Sequence, residues 1–441
     1  MTINLAIEYP NKSFDDSNGT IRPGYKQTEV GVIPVDWEVR LVAEAFDICN
    51  NLRFPLSAKT REGMSGSYPY YGPTKIQDYL NEYRVEGEFA LIGEDGDHFL
   101  KFDVMPQTQY ATGQFNVNNH AHLIKGKIAS AKWFFWFFRN RDISQYLTRQ
   151  GAGRFKLNKA SLESMPCALP PLNEQTAIAN ALSDVDALIQ ELEKLIAKKQ
   201  AIKSASMQQL LTGRTRLPPF GFEKSAHHPD GRKKGYKPSE LGEIPEDWEV
   251  IGFGSLFQPT VSKKAIKPNS LVSFVGMQDV TEQAQLSSQH LVTIENVKSG
   301  FTYFERGDVL VAKITPCFEN GKGCHTESLQ TEIGFGSTEF HVLRATENSD
   351  AKFIYYWSNR DIFRRELESE MVGSAGHRRV PLSAIAHYLI PVPQKEEQTA
   401  IATILSDMDE EIQVLEQRLN KTRQIKQGMM QELLTGKTRL V

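Results

Sequence analysis

Residues 174–186 read EQTAIANALSDVD, and residues 397–409 read EQTAIATILSDMD. Two such blocks in one chain of 441 residues announce an internal repeat, and a repeat of this length governs every later inference about the fold. Within the first block and just beyond it, Ile178, Leu182, Val185, Ile189, Leu192 and Ile196 alternate steps of four and three, the spacing of a coiled-coil seam. Ile401, Leu405, Met408, Ile412, Leu415 and Leu419 repeat that seam position for position. The first helix starts behind Pro170-Pro171, with Glu174 in its first turn, where a carboxylate suits the helix dipole. The blocks close alike, on LLTGRTRL (210–217) and LLTGKTRL (433–440), where Gly213 or Gly436 can supply a left-handed C-cap.

Upstream lies a second repeated piece. Residues 24–39 read GYKQTEVGVIPVDWEV and residues 235–250 read GYKPSELGEIPEDWEV, so that Trp37 aligns with Trp248. The first repeated piece opens each half and the second closes it. Between them the halves differ greatly, and the second is the longer by 12 residues. Two matching frames around two dissimilar inserts suggest one job done twice on different targets; the alternative is an old duplication whose inserts drifted.

A helix of about 39 residues is a rod of roughly 55–60 Å, and two seams in one chain pack most simply on each other, antiparallel, as a spacer. One turn of B-DNA is about 34–36 Å, so such a spacer can hold two readers on separated segments of a duplex, with an unread gap. Docking of another protein, or dimerisation, is a compatible role for the same helices. The basic residues late in each helix (Lys194, Lys198, Lys199 and Lys203; Arg418, Lys421, Arg423 and Lys426) fit either phosphate contact or a solvated helix face.

Each insert mixes β-type runs, Gly/Asn turns and helical stretches, and reads as α/β. In the first, FALIGEDG (89–96) looks like a buried strand entering a turn and QFNVNNHAHLI (114–124) like another strand; in the second, GDVLVAKITPCFENGKG (307–323) reads as a strand followed by a turn and GFGSTEFHVLRA (334–345) as another strand. A helix follows in each, over SAKWFFWFFRNRDISQYL and AKFIYYWSNRDIFRREL. Both inserts then enter a Gly-rich turn with cations beside it: Gly151 to Lys156, and Gly373 to Arg379. Arginine and lysine there are candidates for phosphate or base contact, although the same turn can be an ordinary surface loop.

Composition places the chain among globular proteins, with 40% hydrophobic and 24% charged residues. No apolar run approaches a membrane span, the first residues lack a secretory signal pattern, and four scattered cysteines suggest reduced thiols. A cytoplasmic protein is expected. The formal net charge of −3 is unusual for a protein holding DNA unaided, and suggests that partners help. Motifs for chemistry are missing. Leu217-Pro218-Pro219-Phe220 lacks the polar residue of a base-flipping methyltransferase loop, and Gly436-Lys437-Thr438 lacks the first glycine of a phosphate-binding loop. Asp308 with Lys313 lacks the second acid of a nuclease, and His120 with His122 lacks a third zinc ligand. No metal and no catalytic residue are assigned.

Taken in order, GxIPxDWE, GEFALIGEDG, NNHAH, GDVLVAKITPCFENGK, GFGSTEF, the helix starts PPLNEQ and PQKEEQ, and LLTG resemble the specificity (S) subunits of type I restriction-modification systems, over nearly all the chain beyond about residue 20. The resemblance implies two tandem α/β target-recognition domains, joined by two long antiparallel coiled-coil helices in a pseudo-twofold internal repeat. Residues 1–20 form an N-terminal extension, 21–170 the first recognition domain, 171–216 the first helical spacer and 217–234 a linker; 235–393 form the second recognition domain and 394–441 the second spacer. It implies a non-catalytic, DNA-binding subunit whose domains each read half of a bipartite, asymmetric double-stranded DNA site. Its expected partners are two methyltransferase (M) subunits, using S-adenosylmethionine to modify adenine N6, and restriction-motor (R) subunits using ATP and Mg²⁺. The candidate DNA contacts are Lys75, Arg154, Lys156, Lys313, Lys322, His377, Arg378 and Arg379.

Overall fold

The computed structural model describes residues 21–440 other than 151–153, 226–227, 298 and 375; the side chains of Gln150, Arg154, 223–225 and 228–233 are also outside the described set. The chain divides into two compact units, one made of Met1–Glu193 with Arg418–Val441, the other of Lys194–Gln417. The expected long helices are Leu172–Leu211 and Lys395–Leu433, and each is shared between the units. Each unit therefore contains one opening frame piece, one insert, the first part of the helix that follows it, and the last part of the other helix.

In the first unit, the hairpin Tyr25–Thr28 with Gly31–Pro34 leads to the strand Glu38–Leu41, which pairs antiparallel with Pro166–Leu169 at the end of the insert. The second unit repeats this with Tyr236–Ser239 and Gly242–Pro245, then Glu249–Gly252 against Leu389–Val392. Each insert is thus tied off at its own base by a strand pair built from frame residues.

The first insert forms a six-stranded sheet in the order Phe46–Ile48, Ala121–Gly126, Val85–Gly93, Thr108–Val117, Ser65–Tyr71, Ile76–Leu80. Phe89 to Gly93 are all buried, so this strand reads as a continuous apolar run rather than an alternation. The helix Ala131–Phe138 covers the sheet, and its aromatic run Trp133 to Phe138 is at most 8% exposed throughout. A helix apolar on every side has to be buried on every side. The expected continuation of this helix to Leu147 is not formed. Asp142 Oδ1 accepts from the Ser144 backbone N–H (2.8 Å), a local bond that competes with the helical ladder, and one 3₁₀ turn follows.

The second insert carries a four-stranded sheet (His290–Thr293, Leu271–Val275, Ile333–Gly336, Thr302–Glu305) and a three-stranded one (Gly323–His325, Val309–Ala312, Phe340–Leu343). Its helical stretch splits into Ala351–Ser358 and Asp361–Glu368. Residues 114–124 and 334–345, each expected as a single strand, are each broken by a turn. Asn118 Oδ1 accepts from His120 N (2.8 Å), and Ser337 Oγ accepts from Glu339 N (3.2 Å), so a short polar side chain ends one strand and the next begins beyond it. Strand-like alternation continues through such a turn, which hides the break in the sequence.

Along the helix pair, Ile178, Leu182, Ile189, Leu192 and Ile196, and Ile401, Leu405, Ile412 and Leu419, are at most 9% exposed; Val185, Met408 and Leu415 are half-buried. Ion pairs flank these residues and fix an antiparallel register inside each unit. In the first unit Glu193 pairs with Arg423 (2.6 Å) and Asp186 with Lys426; in the second Lys199 pairs with Glu411 (2.7 Å) and Lys203 with Asp409. Several of the basic residues that suggested phosphate contact are thus satisfied between helices. The more exposed of these pairs, Glu193 with Arg423 and Lys199 with Glu411, contribute at most about 1 kcal/mol each, so apolar burial along the seam dominates.

The conserved ends of the frame meet in one cluster per unit. In the first, Trp37 Nε1–H donates to Glu174 Oε2 (3.1 Å), and Arg439 donates to both oxygens of Glu174 (2.6 and 2.8 Å) and both of Asp36 (2.9 and 2.7 Å). In the second, Trp248 donates to Glu397 (3.1 Å), while Arg216 donates twice to Glu397 (2.7 Å each) and twice to Asp247 (2.8 and 3.2 Å). Glu174 is 0% exposed, so it is the centre of a buried ion cluster as well as a first-turn carboxylate. The bonds from Arg439 hold the Asp36 carboxyl below its ordinary range; around Asp247, burial pushes upward but the bonds from Arg216 and Lys234 prevail, with the same net result. Gly213 and Gly436 adopt φ of 71°, and a Cβ on either would stand within 2.6 Å of Pro245 or Pro34 and close to the adjoining Trp ring. Glycine is required there both for the left-handed turn and for that close approach.

Candidate nucleic-acid interface

In each insert, loops beyond the strand ends bring several of the candidate DNA contacts together. In the first insert, the turn carrying Lys75 is closed by a bond from Gly72 N to Lys75 O (2.8 Å), and Gln77 accepts from the Asn118 amide (3.1 Å). The Asn118–His120 turn in turn touches the strand end at Glu94-Asp95: Glu94 N donates to His120 O (2.8 Å), and the His120 ring meets Asp95 Oδ2 (2.9 Å). The hairpin Thr148–Gln150 with Arg154–Lys156 completes the group, with Lys156 Nζ 3.2 Å from Glu94 and Leu157 N donating to Glu94 O (2.8 Å). Lys75 is exposed, and Lys156 is half-buried against Glu94. Gly151–Gly153 and the Arg154 side chain lie outside the described residues.

Glu94 is flanked by two cations, Arg53 (2.5 Å) and Lys156. Burial pushes its carboxyl upward, but the bonds from Arg53 and Lys156 more than offset this and leave it below the ordinary glutamate range. It is an anion held in place by two donors, and exposed enough to accept a third. His122 has a different task from His120. Its Nε2–H donates to Leu157 O (2.8 Å), which leaves Nδ1 to accept from the Asn50 amide (2.8 Å), an assignment that follows from the carbonyl's being an acceptor only. With both ring nitrogens used, His122 joins the strand to the loop after Lys156, and the paired-histidine metal arrangement considered from sequence is not what the two rings form.

In the second insert, Lys313 follows the strand Val309–Ala312. Lys313 N donates to Glu339 O (2.9 Å), and Val380 N donates to Lys313 O (2.9 Å). The His341 Nε2–H donates to Val380 O (2.8 Å). Arg379 is exposed and forms a two-pronged pair with Glu339 (3.0 and 2.8 Å), which holds that carboxyl low. Arg378 is shared by Glu368 (3.3 Å) and Glu319 (3.8 Å), beside a cleft also lined by Asp361, Arg364 and Arg365. Lys322 turns inward and donates to Met277 O (3.1 Å), while His377 is exposed. Of the five candidates here, Lys313, Arg378 and Arg379 converge around one pair of turns. Lys322 braces its own loop.

Nothing local in the sequence marks Glu94, His120 or Glu339 as DNA contacts, because each is a common surface residue type. The only shared signal was the histidine of AHLI and FHVL, two residues beyond each turn.

Burial pushes the ring pKa values of His98, His122, His325 and His341 below the ordinary histidine range. The unfolded chain takes up protons near pH 6.5 while the folded one resists. Their contribution to stability is therefore full above that pH and is lost as the pH falls towards the folded values, at up to about 1.4 kcal/mol per pH unit for each ring. The melting temperature is expected to fall between pH 7 and pH 5, before the paired carboxylates titrate; a flat profile over that range contradicts the neutral-ring assignment.

Comparison with known proteins bears on the duplicated architecture and the fold. The type I restriction modification DNA specificity domain matches the chain twice, over residues 34–204 and 245–424. A putative type I restriction enzyme specificity subunit (MjaX) of Methanocaldococcus jannaschii is 24% identical over 447 residues, covering 94% of this chain and 97% of that protein. A putative specificity subunit of Haemophilus influenzae is 38% identical over 158 residues, 36% of this chain and 39% of that one. The crystal structure of a type I system S subunit from M. genitalium shares the fold, with a TM-score of 0.59 at 14% identity over 94% of this chain and 99% of that one. With both matched segments spanning an insert and part of the long helix that follows it, the chain belongs to the type I restriction modification DNA specificity family and carries the domain of that family twice.

Proposed function

We propose that this chain, a non-catalytic specificity subunit, directs a type I restriction-modification complex to a bipartite asymmetric DNA site, each insert reading one half and the paired helices setting the unread gap. The observation that carries this reading is the repetition itself: one family domain occurs twice, with matching frames and different loop side chains. Matching frames keep the geometry of reading constant, and different loops demand different bases. Lys75, Arg154, Lys156, Lys313, Lys322, His377, Arg378 and Arg379 are the proposed contacts, the exposed ones to phosphate or base edges and Lys322 through its loop. The partners are two methyltransferase subunits, which would bind S-adenosylmethionine and modify adenine, and restriction-motor subunits, which would use ATP and Mg²⁺. On the part of the first long helix that belongs to the second unit, Leu195 and Ile202 stand seven residues apart and are 38% and 42% exposed, apolar positions suited to contact with a methyltransferase helix. The complex would act in the cytoplasm, where its DNA is.

The test is a methylome. Co-expression with the cognate methyltransferase in a methylation-free host should give one split motif that vanishes when this chain is omitted. A stable complex with no motif would remove DNA reading from the proposal.

A further inference from the structure

The inserts share little sequence, yet three positions in each stand on one scaffold. The strand pairs run in the same register: Ala90, Leu91, Ile92 and Gly93 face Ile124, Leu123, His122 and Ala121, just as Val309, Leu310, Val311 and Ala312 face Leu343, Val342, His341 and Phe340. From this register Glu94 corresponds to Lys313, and His120 to Glu339. The loop that follows corresponds too, since Leu157 N bonds to Glu94 O as Val380 N bonds to Lys313 O, which makes Lys156 the counterpart of Arg379. The rings of His122, buried, and His341, half-buried, hold this last element by the same kind of bond, to Leu157 O and Val380 O. The polar turns match as well, through Asn118 to His120 and Ser337 to Glu339.

What the scaffold presents differs. The three positions carry Glu94, His120 and Lys156 in one insert and Lys313, Glu339 and Arg379 in the other. The acid has moved from the first position to the second: Lys156 pairs with Glu94, whereas Arg379 pairs with Glu339. Side chains that served only to hold the loop would keep their charges in place, as His122 and His341 keep their bonds. Here the bonds of the backbone are constant and the charges on it are exchanged.

We propose that these three positions are specificity determinants, with Glu94, His120 and Lys156 discriminating bases of one half-site and Lys313, Glu339 and Arg379 those of the other; this rests on the reading that both inserts contact DNA. A carboxylate accepts from the exocyclic amine of cytosine or adenine, while lysine and arginine donate to the N7 and O6 of guanine. Exchanging Glu94 for Lys313 on the same backbone turns an acceptor into a donor, so the two halves demand different bases and the site is asymmetric. All three side chains are within reach of solvent in each insert: Glu94, His120 and Lys156 are 16%, 48% and 29% exposed, Glu339 and Arg379 are 25% and 45% exposed, and Lys313 is half-buried with no ion pair among the described residues.

The experiment maps methylation by the full chain with its methyltransferase, for the unaltered protein, Lys313→Gln and His120→Ala. Lys313→Gln is expected to relax discrimination in one half of the motif on the order of tenfold or more at one or two base positions, with the other half unchanged. His120→Ala should relax the opposite half. Melting curves matching the unaltered protein show that either variant is folded; should Lys313→Gln fail to fold, His120→Ala, in an exposed turn, decides. Variants that keep both halves of the motif intact overturn the inference and leave the proposed function standing, because the unaltered protein still gives its split motif. No motif from the unaltered protein overturns the function and the inference with it.

Discussion

Replacing Arg439 with alanine is expected to destabilise the unit formed by Met1–Glu193 and Arg418–Val441 by about 3 kcal/mol, which for a unit of this size lowers its melting temperature by roughly 6–12 °C. Glu174 is wholly buried and receives two bonds from Arg439 and one from Trp37. Removing the guanidinium leaves a buried carboxylate with one neutral donor, and the cost of an uncompensated buried charge exceeds the modest net value of the intact pair. Arg439 is partly exposed, at 28%, which keeps the expected loss at the lower end for such clusters. Calorimetry that resolves two transitions checks this: one should move and the other, assigned by limited proteolysis to Lys194–Gln417, should stay. A shift confined to that second transition would show that Arg439 does not belong to the first unit.

The complementary prediction concerns Trp248. Trp248→Ala should destabilise the unit Lys194–Gln417 by about 4 kcal/mol, or roughly 8–16 °C in melting temperature. The ring is 1% exposed and lies in the main apolar cluster of that unit with Leu210, Leu211, Phe253 and Leu405. Its loss opens a cavity, takes the N–H from Glu397, and removes the surface on which Gly213 and Pro245 close. The effect should exceed that of Arg439→Ala because transfer, cavity and hydrogen-bond costs add. Trp248→Phe should recover most of the packing without the Glu397 bond, so its smaller shift combines the lost hydrogen bond, about 1–3 kcal/mol, with the remaining volume deficit. If the phenylalanine variant melted as low as the alanine variant, the bond and not the packing would hold the cluster together.

Both predictions concern a link that the sequence displays without explaining. DWEV, EQTAI and LLTGxTRL each occur twice, and the repetition identifies them as frame. Which copy pairs with which is a separate matter. Arg216 joins Trp248 and Glu397, and Arg439 joins Trp37 and Glu174, so each closing segment belongs with the opening and middle segments of the other half. The matching sequences are equally compatible with pairing inside a half. The helices decide it: about 40 residues of rod carry each closing segment away from the insert that precedes it.

The candidate interface was legible only in part. Cations beside glycine-rich turns marked Lys156, Arg378 and Arg379, and a cation at the end of a strand-like run marked Lys313, because charge and turn chemistry are local properties. Glu94, His120 and Glu339 lie in segments that carry the family resemblance, and nothing local singled them out as DNA contacts. They became comparable when the register of the strand pairs placed Glu94 where Lys313 stands and His120 where Glu339 stands. Likewise the break of residues 114–124 and 334–345 into separate strands depends on a single side-chain bond at Asn118 and at Ser337, which alternation of apolar residues does not reveal.

By itself, then, the sequence determined the repeat, the seam of the two helices, the α/β character of the inserts and the family, since periodicity, capping glycines and duplicated blocks all depend on near neighbours or on direct comparison of one stretch with another. The tertiary structure alone decided which closing segment completes which unit, which lysines are spent on ion pairs between helices, and which unlike side chains occupy equivalent places at the ends of the strands. Those depend on contacts between residues hundreds of positions apart, where burial and hydrogen bonding are settled by the packing of whole elements and leave no periodic trace in the chain.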